Sequence, residues 1–116
     1  MLLIANILVA VIALLHVYIL VLEMFLWDKP RGLKAFGQTL AQAQASKVLA
    51  ANQGLYNGFL AAGLAWGLLQ GDIAIKVFFL SCIIVAGIFG AATANKRILF
   101  IQAVPAFITL MLLLLA

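Results

Sequence analysis

LLIANILVAVIALLHVYILVLEMFLW, residues 2–27, decides the fold. The stretch has no glycine or proline, and its only side chains that can be charged near neutral pH are His16 and Glu23. About 20 mostly apolar residues suffice for a helix to cross a bilayer. Three further stretches read the same way, at about 48–69, 73–94 and 98–116. They are continuous apolar runs, which excludes the inside–outside alternation of a membrane β-barrel. The expectation is an all-α fold: an integral membrane four-helix bundle in one domain over residues 1–116. No second domain, internal repeat or low-complexity tail is visible. The first stretch lacks the basic start and short apolar core of a secretory signal, so it reads as a retained spanning helix.

Composition points the same way. The 116 residues are 68% hydrophobic and 9% charged, with a mean hydropathy of +1.29. Soluble domains run near 45–50% apolar and about 25% charged. A short chain cannot hide this much apolar surface from water, and disorder needs the opposite composition. The single cysteine, Cys82, allows no intrachain disulfide and belongs to no metal-ligand spacing. It reads as a small buried hydrophobe.

The net charge of +4 is topological information rather than a nucleic-acid signal. Lys29, Arg31, Lys34 and Lys47 lie between the first two runs, and Lys96 and Arg97 between the last two. Lys76 stands alone near the middle link. Six basic residues therefore fall on one side, which the positive-inside rule assigns to the cytosol. A multi-pass protein of the bacterial inner membrane follows, with both termini outside the cytosol. Trp27 and Trp66 sit near opposite span ends, as interfacial aromatics do. Pro30 and Gly32 break the first helix. Helix resumes from about Thr39, so the second spanning helix begins in the cytosol.

Small residues four apart allow helices to approach closely in lipid. Gly54 and Gly58, Gly63 and Gly67, and the stripes Ala86–Gly90–Ala94 and Gly87–Ala91 fit that pattern. They pack one bundle or several copies together. Four short spans enclose little volume, so a homo-oligomer is expected.

Ionisable residues within spans mark functional sites by default. His16 and Glu23 are seven apart and share a helix face. The second helix adds Asn52, Gln53, Tyr56 and Asn57, and the fourth adds Gln102. At about 1.5 Å per residue, Glu23 lies level with Asn52, Gln53 and Gln102, and His16 level with Tyr56 and Asn57. All fall in the cytosolic half; Asn6 is the exception. Interhelical hydrogen bonds worth about 1 kcal/mol each are one reading of this set. The other is a polar pocket open to the cytosol that takes a lipophilic small molecule. In that reading His16 does acid–base work, Glu23 is its charge partner, and the amides and Tyr56 bind ligand. Pro105 frees a carbonyl near Ile101, a common kink in membrane helices.

No phosphate-binding loop, dinucleotide fingerprint, nucleophile elbow or zinc-protease motif is present. There is no pair of intramembrane acids. A small proton-coupled multidrug-type exporter built on Glu23, and an assembly subunit without ligand, complete the functions compatible with the residues.

The run AANQGLYNGFLAAGL (50–64), with LLHVYILVLEMFLW (14–27) before it, resembles a group of small bacterial membrane proteins known as a domain of unknown function. More distantly, the chain resembles the membrane-associated proteins of eicosanoid and glutathione metabolism (MAPEG). Asn52, Gln53 and the run Phe59-Leu60-Ala61 carry that likeness. It implies a four-helix trimer with both termini away from the cytosol and a site between subunits in the cytosolic half. Glutathione-using members have an arginine and a glutamate around that asparagine. Leu49, Ala50 and Leu55 stand in this neighbourhood here, so the resemblance does not imply glutathione as a cofactor, and no other cofactor is implied.

Overall fold

The computed structural model describes all residues, Met1–Ala116. It is all-helical: α1 (Leu2–Met24), α2 (Pro30–Phe36), α3 (Leu40–Ala45), α4 (Lys47–Gln70), α5 (Ile73–Thr93), a π-helical segment (Leu99–Ala103) and α6 (Val104–Leu115). α1 and α5 are long and apolar enough to cross a membrane, and Leu99–Leu115 is a shorter apolar helix. α4 is as long as α1 but less apolar, because Lys47, Asn52, Gln53, Asn57 and four glycines interrupt it.

Local chemistry sets the boundaries. α1 stops at Met24, three residues before Trp27; Phe25 and Leu26 both send their N–H to the Val21 carbonyl. Pro30, which lacks an N–H and is tolerated in a first helical turn, starts α2. Gly37, at a φ of 63°, closes α2. Thr39 and Gln42 form a reciprocal capping box at the start of α3. The helix expected from Thr39 onward is thus two helices, parted at Ser46, whose hydroxyl donates to the Gln42 carbonyl. The α4–α5 link is minimal. Gly71 (φ 61°) sends its N–H to the Leu68 carbonyl, and Asp72 sends its own to Gly67. This is the paired C-terminal bond pattern a left-handed glycine permits. Asp72 then caps α5 by accepting from the Ile75 N–H at 3.2 Å.

The π-helical turn ends at Ala103, two residues before Pro105. Widening the helix there relieves the clash of the proline ring with the Ile101 carbonyl. Thr109 donates its hydroxyl to the Pro105 carbonyl at 2.8 Å.

The chain packs as two compact units, one of Met1–Ala13 with Ala62–Ala116, the other of Leu14–Ala61. α1 and α4 each contribute to both. In the first unit α5 packs on the π segment and α6. Its buried positions, Lys76, Leu80, Ile83 and Gly87, are spaced by four, three and four. That 3.5-residue period is the seam of helices crossing at a shallow angle. A Cβ on Gly87 would overlap the Ala103 backbone, so glycine is what admits α6 this closely. In the second unit the same alternation runs through Ala50, Gly54, Asn57 and Ala61 of α4.

Candidate functional site: buried polar seams

In the unit Leu14–Ala61, the close approach of two helices brings an acid and an amide together. Gly54 and Gly58 of α4 face α1. A Cβ at Gly54 would sit 2.6 Å from Met24 Cγ and 3.1 Å from Glu23 Cβ, and one at Gly58 would meet Leu20 Cδ1 at 2.7 Å. With no side chain at either position, α4 closes on the last turns of α1. Asn57, on the same α4 stripe, then donates from Nδ2 to Glu23 Oε1 at 2.5 Å. Glu23 is 4% exposed and Asn57 6%. Glu23 is shut into the seam despite its place in the final turn of α1, and its carboxyl does not reach outward.

His16 lies two turns earlier on the same face of α1 and is fully buried. Asn52, Gln53 and Tyr56 are on the exposed side of α4. Tyr56 stacks obliquely on Phe59, with ring centroids 6.1 Å apart. Gln102 belongs to the other unit, where it sits half-buried in the π segment. Among the seven sequence-derived positions, then, the structure joins Glu23 directly to Asn57 and buries His16 on the same α1 face. Three face outward from α4, and one sits in the π segment.

The other unit holds a second polar pair. Lys76 is 2% exposed and donates from Nζ to Asn6 Oδ1 at 2.7 Å. Gly67 makes room for the aliphatic stem of this lysine: a Cβ there would lie 2.8 Å from Lys76 Cγ. Sequence reasoning used Lys76 only as a charge beside a loop and noted Asn6 only as an exception in depth. The signal was available, since Lys76 falls one turn after the cap residue Asp72 and is therefore inside the helix.

At the α1–α2 corner, Trp27 donates its indole N–H to Ser46 Oγ at 3.2 Å and packs obliquely on Phe36, with ring centroids 4.8 Å apart. Asp28 and Lys47 form an ion pair at 3.0 Å. The hydrogen bond from Lys47 holds the Asp28 carboxyl below the usual aspartate range, with the charges of Lys47 and Lys29 adding to it.

Chemically, the Glu23 carboxyl has two oxygens, and Asn57 serves one of them. An acid of this kind accepts a further donor or carries a proton. The imidazole of His16 can both donate and accept. No group of three or more His, Cys, Asp or Glu is placed to hold a metal ion.

These features define a class: an all-helical protein with two helices long enough to cross a membrane and ionisable groups sealed inside its helix seams. The chain belongs to the family described as "Protein of unknown function (DUF1304)", whose profile matches residues 10–114. It is also similar to the "Uncharacterized protein YpaA" of Lactococcus lactis subsp. lactis (strain IL1403), with 29% identity over 103 residues, covering 85% of this chain and 87% of that protein. No solved structure matches the chain.

Proposed function

We propose that the chain is a four-span integral membrane protein that receives the polar head of a lipophilic small molecule at Glu23, Asn57 and His16. α1, α4, α5 and Leu99–Leu115 are the spans. One observation carries the reading: ionisable and polar side chains are buried in the helix seams while large apolar side chains cover the outside. His16, Glu23, Asn57, Lys76 and Thr109 are buried, while Leu14 (68%), Val85 (67%) and Phe89 (69%) face outward. In water this arrangement would be costly in both directions. In lipid it is the expected one, because apolar faces meet acyl chains and ionisable groups turn inward. A soluble core helix of this apolarity would be mostly buried; the apolar windows of α1 and α5 are each only 22% buried.

The basic residues between α1 and α4, with Lys96 and Arg97, support a cytosolic position for the Glu23 end of α1 under the positive-inside rule. The side-chain amides of Asn52 and Gln53 make no hydrogen bond within the chain and are exposed on α4. Inside a bilayer such amides call for a partner, which supports a homo-oligomer, a trimer by the likeness noted above, with the site close to a subunit boundary.

The test has two parts. Alkaline carbonate washing should leave the protein in the membrane pellet, and release into the supernatant would overturn the spanning reading. Native mass spectrometry of detergent-extracted protein should then show a retained lipophile. That lipophile should be lost in His16→Ala and Asn57→Leu variants that keep their helical circular dichroism. An empty wild type, or variants as loaded as wild type, would overturn the site. A second reading, proton-coupled export, gains from the burial of Glu23 in the seam rather than at the headgroups. It predicts that Glu23→Gln abolishes transport, and unchanged transport would remove it.

A further inference from the structure

We propose that the corner between α1 and α2 is a binding site for one anionic phospholipid of the cytosolic leaflet, separate from the buried seam. The proposal rests on the membrane reading above.

A pocket of about 570 Å³ opens there, lined by Tyr18, Pro30, Arg31, Lys34 and Ala35. Arg31, Lys34 and Ala35 share one face of α2, since residues three and four apart are helix neighbours. Gly32, about 100° round the helix from Arg31, is buried. Any Cβ on it would overlap the Leu26 carbonyl. Glycine at this position is therefore what lets α2 fold back against the end of α1 and turn its basic face toward Tyr18. Phe36 holds the other end of α2 against Trp27.

The lining is chemically selective. Arg31 and Lys34 make no hydrogen bond or ion pair with any protein group, and neither does the Tyr18 hydroxyl. The neighbouring acid, Asp28, is engaged by Lys47. Two unneutralised cations thus face one cavity that has no acid in its wall. A guanidinium forks onto phosphate oxygens and an ammonium adds a point charge. The remaining wall is apolar, from Pro30, Ala35 and the Tyr18 ring. One turn up α1 from Tyr18, Leu14 is 68% exposed and extends an apolar track away from the cations. A phosphate at one end and acyl chains at the other match this layout. Basic clusters beside a spanning helix recognise anionic lipid by the same physics.

The experiment uses the full-length protein extracted from membranes and presented with equal amounts of phosphatidylglycerol and phosphatidylcholine, read by native mass spectrometry. Wild type should retain phosphatidylglycerol in preference by roughly twentyfold, at a factor of about five for each basic residue. The double variant Arg31→Gln/Lys34→Gln should lose that preference, and Tyr18→Phe should reduce it a few-fold. The double variant Lys96→Gln/Arg97→Gln removes the same charge elsewhere and should leave the preference intact. A preference that survives Arg31→Gln/Lys34→Gln overturns the proposal. So does an equal loss in both double variants, which would reduce the effect to net charge. Displacement of the lipid by millimolar inorganic phosphate would assign the pocket to a soluble anion and overturn it too. Tyr18, Arg31, Lys34, Lys96 and Arg97 are all exposed, so the helical fold should persist, and circular dichroism checks it. Occupancy of the Glu23–His16 seam by a lipophile is read separately, through His16→Ala, so the two ideas fail independently.

Discussion

The two packing units solve the same problem with opposite charges. In Leu14–Ala61 the sealed ionisable group is an acid, Glu23, and Asn57 on the facing helix serves it with an N–H. In Met1–Ala13 with Ala62–Ala116 it is a base, Lys76, and Asn6 serves it with a carbonyl oxygen. An asparagine amide carries both a donor and an acceptor, so one residue type satisfies either sign. In both units a glycine beside the pair, Gly54 or Gly67, gives the space that allows the contact. The difference lies in what remains nearby. The acid shares its α1 face with His16, whereas the lysine is flanked by the plain apolar seam of α5. Only the first unit therefore buries two titratable side chains on one helix face.

The comparison breaks most sharply if each amide becomes an acid. Asn57→Asp would set two carboxyls against each other in a sealed seam and should cost about 3–5 kcal/mol, the scale of leaving a buried charge uncompensated. Asn6→Asp would instead give Lys76 a counter-ion and should leave stability unchanged or raised. Equilibrium unfolding in mixed micelles measures both, and similar losses for the two would show that the seams do not differ in sign.

The glycines should rank next. Gly87→Leu forces the Ala103 backbone away, and Gly54→Leu forces Met24 and Glu23 away. Overpacking of this kind costs about 1–3 kcal/mol. Only the Gly54 variant should also disturb the Glu23 site, seen as lost ligand or transport. A Gly87 variant that does the same would mean that the site is not confined to its unit.

Trp27→Phe removes one indole hydrogen bond to Ser46 while keeping the ring against Phe36. A loss of about 0.5–1.5 kcal/mol is expected, as a modest fall in unfolding midpoint. A loss as large as that of Asn57→Asp would make the α1–α2 corner the dominant anchor of its unit.

Asp28→Asn should have the smallest effect, since its partner Lys47 is largely in solvent and salt screens such pairs. The pH sign follows from the lowered folded-state pKa of Asp28. A carboxyl held down in the fold adds stability above its unfolded pKa and loses it as pH falls through the folded value. Stability differences between wild type and Asp28→Asn should thus stay level from neutral pH to about pH 5 and vanish only in more acid solution. A difference that grows on acidification would contradict the pairing.

How much of this was legible beforehand varies by residue. The helical runs and the burial of His16 follow from apolar content, but the break does not sit where Pro30 and Gly32 suggest: the non-helical residues are 25–29, and both Pro30 and Gly32 belong to α2. The end of α1 at Met24 is not legible in apolarity, because Phe25, Leu26 and Trp27 carry the apolar run past the last helical residue. Depth along a helix axis grouped Asn52, Gln53 and Tyr56 with Asn57, but depth carries no information about direction around the axis. The 3.5-residue seam sends Asn57 inward and its neighbours outward. Lys76 was misjudged for a related reason: a loop-end charge and a buried one look alike until the facing helix is known.

The sequence by itself determined that the chain is helical, that the basic residues gather in two of the connections between long apolar segments, and where glycine permits close approach. These are local properties of propensity, charge and steric size. Only the tertiary structure decided that Glu23 meets Asn57, that Lys76 meets Asn6, and that Arg31 and Lys34 turn into one cavity with Tyr18. Each of those depends on which faces of distant segments are brought together. That choice is made by packing across the seam, where small residues let backbones touch and polar groups must find one another.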